Sequence, residues 1–102
     1  MDIKYSKTKD VLTVYLEGEL DEYSVNSARA VIDELLFNNV GASKIVFDLS
    51  EVSFMDSTGV GLLIGRYKKL KQFNKSVYIS GAKISTEKVI QLSGLYNIMP
   101  KY

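Results

Sequence analysis

An apolar run that is followed by small polar residues most constrains the fold of this chain. Residues 45–47 read Ile-Val-Phe, which is typical of a strand that is covered on at least one side and flanked by other strands. Beyond a further apolar stretch, Asp56 and Ser57 precede a segment with helical periodicity. We therefore predict a strand over 44–49, a short apolar loop, and a helix that begins at Asp56 or Ser57.

The start of that helix has two interpretations. The first N–H groups of a helix have no intrahelical partner, and together with the helix dipole they favour an anion, such as a phosphate carried on Ser57. Asp and Ser are also common N-caps, because their side chains accept hydrogen bonds from those same N–H groups. The local pattern by itself favours a cap at Asp56 or Ser57 and leaves the anion site as the alternative.

The spacing of apolar residues predicts the other elements, with a period of two residues in strands and 3.6 in helices. Ser24 and Ser85 are predicted as N-caps, and Gly41 and Gly94 as the glycines that end helices. The order predicts an α/β fold with a mixed four- to five-stranded sheet, part of it parallel. The predicted elements are strands at 3–5, 11–17, 44–49 and 76–80, helices at 24–41, 58–73 and 85–94, and a last short strand at Ile98 and Met99.

The helix over 58–73 carries three glycines, each of which costs about 1 kcal/mol relative to Ala. They either allow close packing against the sheet or form a flat patch that a partner can approach. Both roles are expected for different glycines, and packing is favoured for Gly65. The three glycines are Gly59, Gly61 and Gly65, and the predicted core face of the helix is Val60, Leu63, Ile64, Tyr67 and Leu70.

Composition excludes several classes of function. Thirteen basic and twelve acidic residues give a net charge of +1, which provides no general attraction to nucleic acid or to a membrane. The chain has no Cys and no His, so it lacks the usual zinc ligands and the Ser–His and Cys–His nucleophile pairs. The absence of Cys is consistent with a cytoplasmic protein. We expect a single domain that is not an enzyme.

A nucleotide or metal site is the competing hypothesis. Asp21, Asp48 and Asp56 lie at or near predicted strand ends and could hold a metal ion, although hydrogen bonding in turns is the more common role of such residues. The glycine spacing around Gly61 does not match a dinucleotide-binding loop, and no Lys follows a glycine loop as in a P-loop.

Three stretches together resemble the STAS domain, in the branch of bacterial anti-sigma factor antagonists, and most closely its sporulation members. The core is Asp56-Ser57-Thr58-Gly59, within FDLSEVSFMDSTGVGLLIGRYKKLK. GELDEYSV at 18–25 and LSGL at 92–95 extend the resemblance over nearly the whole chain. It implies a STAS fold with helices mainly on one face of the sheet.

The resemblance also implies a function. The unphosphorylated protein would bind an anti-sigma factor that is a serine kinase and so release a sigma factor; phosphorylation of Ser57 would end the binding, and a serine phosphatase would reverse it. ATP and magnesium would be used by the kinase, and this protein would need no cofactor. It would be a monomer when free. The implied partner-binding residues are Asp21, Asp56, Ser57, Thr58, Gly59 and Gly61.

Two departures from the STAS pattern bear on these expectations. Thr58 stands where many members have a second Ser, which leaves a rival acceptor beside Ser57. Relatives commonly continue past the position of Tyr102 into another helix, so a single STAS domain at 1–102 without that helix is expected. The alternatives are a stand-alone domain that binds or hydrolyses nucleotide, and a STAS subunit of a stress-signalling complex.

Overall fold

Residues 1–102 are all described by a computed structural model. They form four strands, three α-helices and one 3₁₀ turn. The elements in chain order are β1 (Asp2–Thr8), β2 (Val11–Leu20), α1 (Val25–Asn38), β3 (Lys44–Met55), α2 (Ser57–Lys71), β4 (Ser76–Ser80), α3 (Ile84–Ser93) and the 3₁₀ turn (Leu95–Asn97).

The four strands form one mixed sheet in the order β1-β2-β3-β4. β1 and β2 are an antiparallel hairpin, whereas β3 is parallel to both β2 and β4. Helices α1 and α2 provide the two crossovers that parallel pairing requires. The predicted α/β fold with a mixed sheet is therefore confirmed.

The core lies between one face of the sheet and the helices. The register pairs Leu12 with Ile45 and Val14 with Phe47, and Phe47 in turn pairs with Ile79 of β4. All five side chains are at most 1% exposed. Because side chains alternate along a strand, these residues share one face, and most residues between them on β2 and β4 are only partly buried. The helices accordingly cover mainly one face of the sheet, as predicted.

β3 is longer than predicted, and the expected loop before α2 is absent. The prediction ended this strand at Leu49, but β3 continues to Met55, which pairs with Leu20 of β2. Two register shifts between β2 and β3 accommodate the added length. Such irregularities interrupt strict alternation, so the sequence pattern could not reveal the extension. As a result, β3 ends one residue before Asp56.

The helix ends are partly corrected. Gly94 ends α3 with a left-handed φ of 76°, as predicted. Helix α1 ends before Gly41: its C-cap is Asn39, whose side-chain amide donates to the carbonyl of Leu35 at 2.8 Å. Helix α3 begins at Ile84 with Lys83 at the N-cap, so Ser85 lies inside the helix rather than capping it.

The predicted last strand at Ile98 and Met99 is wrong. This part follows the 3₁₀ turn, and Met99 is fully buried. The bridge to β4 forms two residues later, between Ile79 and Lys101. The Ile79 N–H donates to the carbonyl of Pro100 at 3.0 Å, and its carbonyl accepts from the N–H of Tyr102 at 2.9 Å.

The buried face of α2 also differs from the prediction in three residues. Leu62 was not assigned to the core and is 3% exposed, whereas Ile64 and Tyr67 were assigned to it and are only partly buried at its margin. Leu63 was assigned correctly and is fully buried. The predicted core face of α2 was therefore slightly rotated around the helix axis relative to the buried face in the structure.

We expect Leu63→Ala to lower the free energy of unfolding by about 2–5 kcal/mol, because it leaves a cavity in the core. This is a large part of the about 5–15 kcal/mol that is typical of small domains. Ile64→Ala should cost less, and Leu92→Ala, at a side chain that is 81% exposed, should change the value by no more than about 0.5 kcal/mol. Urea denaturation measures all three, and equal losses for Leu63→Ala and Leu92→Ala would contradict the assignment of the core.

Candidate functional site

Two chain segments meet at the carboxyl edge of the sheet, where functional loops of α/β folds commonly lie. One is the junction between β3 and α2 at Asp56, and the other is the turn between β2 and α1 at Asp21. The Asp56 N–H donates to the carbonyl of Leu20 at 3.3 Å, which ties the two segments together. The site is therefore built on strand ends rather than on a free loop.

Asp56 is the N-cap of α2, as the local pattern favoured. Its backbone is extended, and its Oδ1 accepts hydrogen bonds from the N–H groups of Thr58 at 2.9 Å and Gly59 at 3.1 Å. The Asp56 carbonyl accepts from the N–H of Val60 at 3.1 Å. The Ser57 N–H is left as the amide of this first turn without a partner in the protein. The carboxylate of Asp56 thus occupies most of the anion site at this helix terminus.

The two neighbouring hydroxyls have different environments. The Thr58 hydroxyl donates to Asp56 Oδ1 at 2.5 Å, so it is held against the cap. Ser57 is exposed, and its hydroxyl makes no hydrogen bond within the protein. Of the two candidate acceptors, only Ser57 therefore presents a free hydroxyl to solvent.

The Thr58 hydroxyl also affects the pKa of the cap. Its hydrogen bond is the main cause that holds the pKa of the Asp56 carboxyl below its ordinary value of 3.8. Partial desolvation acts in the opposite sense, and the amides of Gly59, Thr58 and Glu22 lower the pKa further. Asp56 is consequently a carboxylate at neutral pH, directly beside Ser57.

Gly59 has a packing role, which the sequence analysis had favoured for Gly65 instead. A Cβ on Gly59 would lie 2.5 Å from the carbonyl oxygen of Leu20, which is closer than real Cβ contacts come. Gly59 is buried, so it can contribute to a partner surface only indirectly, through the close approach it permits. Gly65 has no atom within 4 Å of the Cβ position, so the packing role predicted for it is wrong.

Gly61 fits the other predicted role of the glycines. It is exposed, and the position of its missing Cβ has no atom within 4 Å. The surface of α2 is therefore open there, one turn from the free hydroxyl of Ser57. Its contact with a partner stays a prediction.

Asp21 organises the second segment. Its Oδ1 accepts from the N–H groups of Tyr23 at 3.0 Å and Ser24 at 3.1 Å. Ser24 stands at the N-cap position but does not cap α1 with its side chain: its hydroxyl donates to the carbonyl of Glu19 at 2.8 Å. The partner-binding role predicted for Asp21 is untested, while its role in fixing this turn is evident.

The three candidate metal ligands do not come together. Asp48 Oδ1 accepts from the N–H of Ser50 at 2.9 Å and from its hydroxyl at 2.6 Å, and Oδ2 accepts from the Ser80 hydroxyl at 3.2 Å. The hydrogen-bonding role predicted for Asp48 is thus confirmed. Residues 1–102 contain no group of three or more acidic side chains arranged to hold a metal ion.

The cavity next to Asp21 does not resemble a nucleotide site either. It has a volume of about 410 Å³, and its lining includes the carboxylates of Glu19 and Asp21 but no Lys or Arg to meet a phosphate. A second cavity of about 400 Å³ lies at the far ends of α1 and α2 and is mainly apolar, with Phe37 and Phe73 in its wall together with Lys69 and Lys75. It involves none of the residues around Ser57.

Two exposed aromatic residues near Ser57 were not singled out from the sequence. Tyr23 is 88% exposed in the turn before α1, and Phe54 is 50% exposed near the end of β3. Phe54 gave a usable signal: once Met55 is assigned to the core, alternation places Phe54 on the opposite side of the strand. Tyr23 gave no signal, since a turn has no periodicity.

Comparison with known proteins places this geometry among characterised relatives. The STAS domain profile matches residues 2–102. An anti-sigma F factor antagonist from Paenibacillus polymyxa is 32% identical over 102 residues, which is 100% of this chain and 86% of the relative. An anti-sigma-B factor antagonist from Staphylococcus aureus is 36% identical over 86 residues, 84% of this chain and 78% of the relative.

Solved structures of anti-sigma factor antagonists also match nearly the whole of this chain. The anti-sigma factor antagonist SpoIIAA in its unphosphorylated form matches with a TM-score of 0.80 and 30% identity, over 99% of this chain and 88% of the other. The phosphorylated form of SpoIIAA from Bacillus matches with a TM-score of 0.72 and 30% identity, over 99% and 91% of the two chains. No helix of the present structure has the length and apolar character needed to cross a membrane.

We expect Thr58→Val to raise the pKa of Asp56 toward 3.8, because it removes the main hydrogen bond that lowers it. Ser57→Ala is the matched control and should leave this pKa unchanged. NMR titration of the Asp56 carboxyl carbon measures both values. An equal Asp56 pKa in wild type and Thr58→Val would contradict the assigned hydrogen bond.

The same pKa shift has a consequence for stability. The folded-state pKa of Asp56 is below the unfolded value near 3.8, so the charged cap stabilises the folded protein above that pH. This contribution is lost as the pH falls through the folded-state pKa. The difference in melting temperature between wild type and Asp56→Ala should therefore shrink below pH 3.8.

Proposed function

Because the chain belongs to the STAS domain family, among the anti-sigma factor antagonists, we propose that it is the phosphorylatable member of a partner-switching pair. In its unphosphorylated form it binds an anti-sigma factor that is a serine kinase, and the bound sigma factor is released for transcription. Phosphorylation of Ser57 by that kinase ends the binding. A serine phosphatase restores the active form.

The free hydroxyl of Ser57 is the observation that carries this proposal. A kinase requires an exposed acceptor oxygen that can be held in line with the γ-phosphate, and it relies on positioning and charge stabilisation. Ser57 is exposed, lies directly after a strand end and a helix cap, and makes no competing hydrogen bond. Thr58 is a weaker candidate, because its hydroxyl is held by Asp56 and its β-branched side chain is stiffer.

The chemical step is a phosphoryl transfer. The Ser57 oxygen forms a bond to the γ-phosphorus of ATP while the bond from that phosphorus to the β–γ bridging oxygen breaks, and ADP leaves. The hydroxyl proton passes to a base of the kinase, since Asp56 is committed to the helix amides. The phosphatase reverses the modification by hydrolysis, in which water replaces Ser57 on phosphorus. ATP and magnesium belong to the kinase, and this protein contributes the acceptor without a cofactor of its own.

The charge around Ser57 explains how a phosphate would end binding. A phosphoserine carries about −1.5 to −2 charges at neutral pH. It would lie beside the Asp56 carboxylate, which is ionised at neutral pH. The helix terminus offers little compensation, because Asp56 already accepts from the N–H groups of Thr58 and Gly59. Burying such a dianion in a close interface would be costly without new cationic partners.

The proposal is tested with the anti-sigma factor kinase that the unphosphorylated protein retains from an extract of its source cells. After incubation with Mg-ATP, mass spectrometry should locate one phosphate on Ser57. Ser57→Ala should abolish the modification and leave the fold and partner binding largely intact. Thr58→Val should leave modification in place, and Ser57→Asp should weaken binding only in part, since a carboxylate carries less charge than a phosphate. A phosphate on Thr58 of the wild type would overturn the assignment.

We also expect the isolated protein to show no nucleotide turnover. The cavity beside the site has no cationic side chain in its lining. The Asp56 carboxylate already accepts hydrogen bonds from the first turn of α2 as its N-cap. The measurement is phosphate release from Mg-ATP and from Mg-GTP by the purified protein. Hydrolysis that co-purifies with the wild type and disappears in Asp56→Ala would show that the nucleotide hypothesis is the right one.

A further inference from the structure

Two aromatic side chains near Ser57 have no evident role in the fold. Tyr23 is 88% exposed and its hydroxyl makes no hydrogen bond within the protein, and Phe54 is 50% exposed. Neither belongs to the core or packs against it, and the one aromatic pair in the structure is elsewhere, between Tyr78 and Tyr102. Exposed aromatic residues on a rigid support are frequent anchors of protein–protein interfaces.

Both side chains are attached to backbone that is held in place. The turn at Tyr23 is fixed because Asp21 Oδ1 accepts from its N–H at 3.0 Å and the Ser24 hydroxyl accepts from the Asp21 N–H at 3.1 Å. Phe54 is in β3, where it pairs with Glu19 of β2. Binding would therefore order only side-chain torsions and no backbone, which keeps the entropic cost low.

The two aromatic residues belong to the two chain segments that meet at the proposed phosphorylation site. Phe54 precedes Ser57 by three residues across the end of β3. On the other side, the Asp56 N–H donates to the carbonyl of Leu20 at 3.3 Å, so the turn that follows Leu20 and carries Tyr23 begins at the cap of α2. The absence of a Cβ on Gly59 permits this close approach of the two segments.

The charges of this surface argue against a second copy of the chain as the occupant. Residues 18–24 and 53–59 contain four carboxylates, on Glu19, Asp21, Glu22 and Asp56, and no Lys or Arg. A two-fold contact places one surface against itself, so these like charges would face one another. A partner that must reach Ser57 has no such difficulty, and it has to contact the residues around that side chain.

We propose that Tyr23 and Phe54 are the anchor residues through which the kinase partner docks on this surface. The inference rests on the proposed function and adds the residues that supply the affinity. The anchors belong to the two segments that meet at Ser57, so a partner that covers both rings would also approach a phosphate there. The same contacts would position the hydroxyl for transfer and make the complex sensitive to its product.

The test measures the dissociation constant of the kinase complex in the presence of Mg-ADP, and the KM and kcat of Ser57 phosphorylation. Tyr23→Ala and Phe54→Ala should each weaken binding by about tenfold or more and raise KM in parallel, with kcat changed far less. Tyr23→Phe should bind nearly as wild type, since the ring is the anchor. Thermal unfolding of each variant checks the fold. If Phe54→Ala is unstable, Phe54→Leu replaces it in the binding and kinetic measurements.

Matched controls come from aromatic residues on other surfaces. Tyr5, 55% exposed on the edge strand β1, and Phe73, 67% exposed beyond the end of α2, are truncated as Tyr5→Ala and Phe73→Ala. Both should leave the dissociation constant and KM within about threefold of wild type. Variants at Tyr23 and Phe54 that behave like these controls, while Ser57 is still phosphorylated, would overturn the inference alone.

Two further outcomes are informative. If wild-type protein is not phosphorylated on Ser57 by the retained kinase, the proposed function fails and the inference fails with it. Analytical ultracentrifugation of the free protein tests the other occupant: a wild-type dimer that Tyr23→Ala dissociates would overturn the docking of a kinase in favour of self-association. We expect one sedimenting species of monomer mass for the wild type and for all variants.

Discussion

The close approach of Gly59 to the carbonyl of Leu20 is the contact on which the site depends. Any residue other than glycine at position 59 would place a Cβ 2.5 Å from that oxygen. The first turn of α2 would then have to move away from β2. The turn at Asp21 follows directly from Leu20, so it would separate from Asp56 as well. One glycine thus permits the close approach of two segments that are 35 residues apart, as counted between Asp21 and Asp56.

That contact allows the polar residues at the junction to have separate roles. Asp56 accepts from the backbone of α2 and from the Thr58 hydroxyl, so the anion site of the helix is filled from within. The Thr58 hydroxyl is thereby hydrogen-bonded within the protein, whereas the Ser57 hydroxyl is not. A cap and a phosphorylation site were alternatives at the level of sequence. In the structure they are compatible, since the cap is Asp56 and the free hydroxyl is its neighbour.

The sequence predicted those features that depend on local periodicity or on a single residue type. Alternation identified β2, a continuous apolar run identified the first half of β3, and the cap was expected at Asp56 or Ser57. Irregularities of pairing were not predictable: β3 continues to Met55 through register shifts that only the partner strand reveals. The glycines show the same limit, because Gly59 and Gly65 look alike in sequence, and only the position of Leu20 decides which one is packed.

A switch at Ser57 can act without changing the fold. Its side chain makes no hydrogen bond within the protein, so a phosphate there displaces no existing interaction. The surrounding backbone is held by the cap at Asp56, by the pairing of Leu20 with Met55 and by the turn at Asp21. The added charge of the proposed phosphate would therefore change the free energy of binding far more than that of folding. A partner that contacts this edge of the sheet would then distinguish the two states of Ser57 with little effect on the stability of the domain.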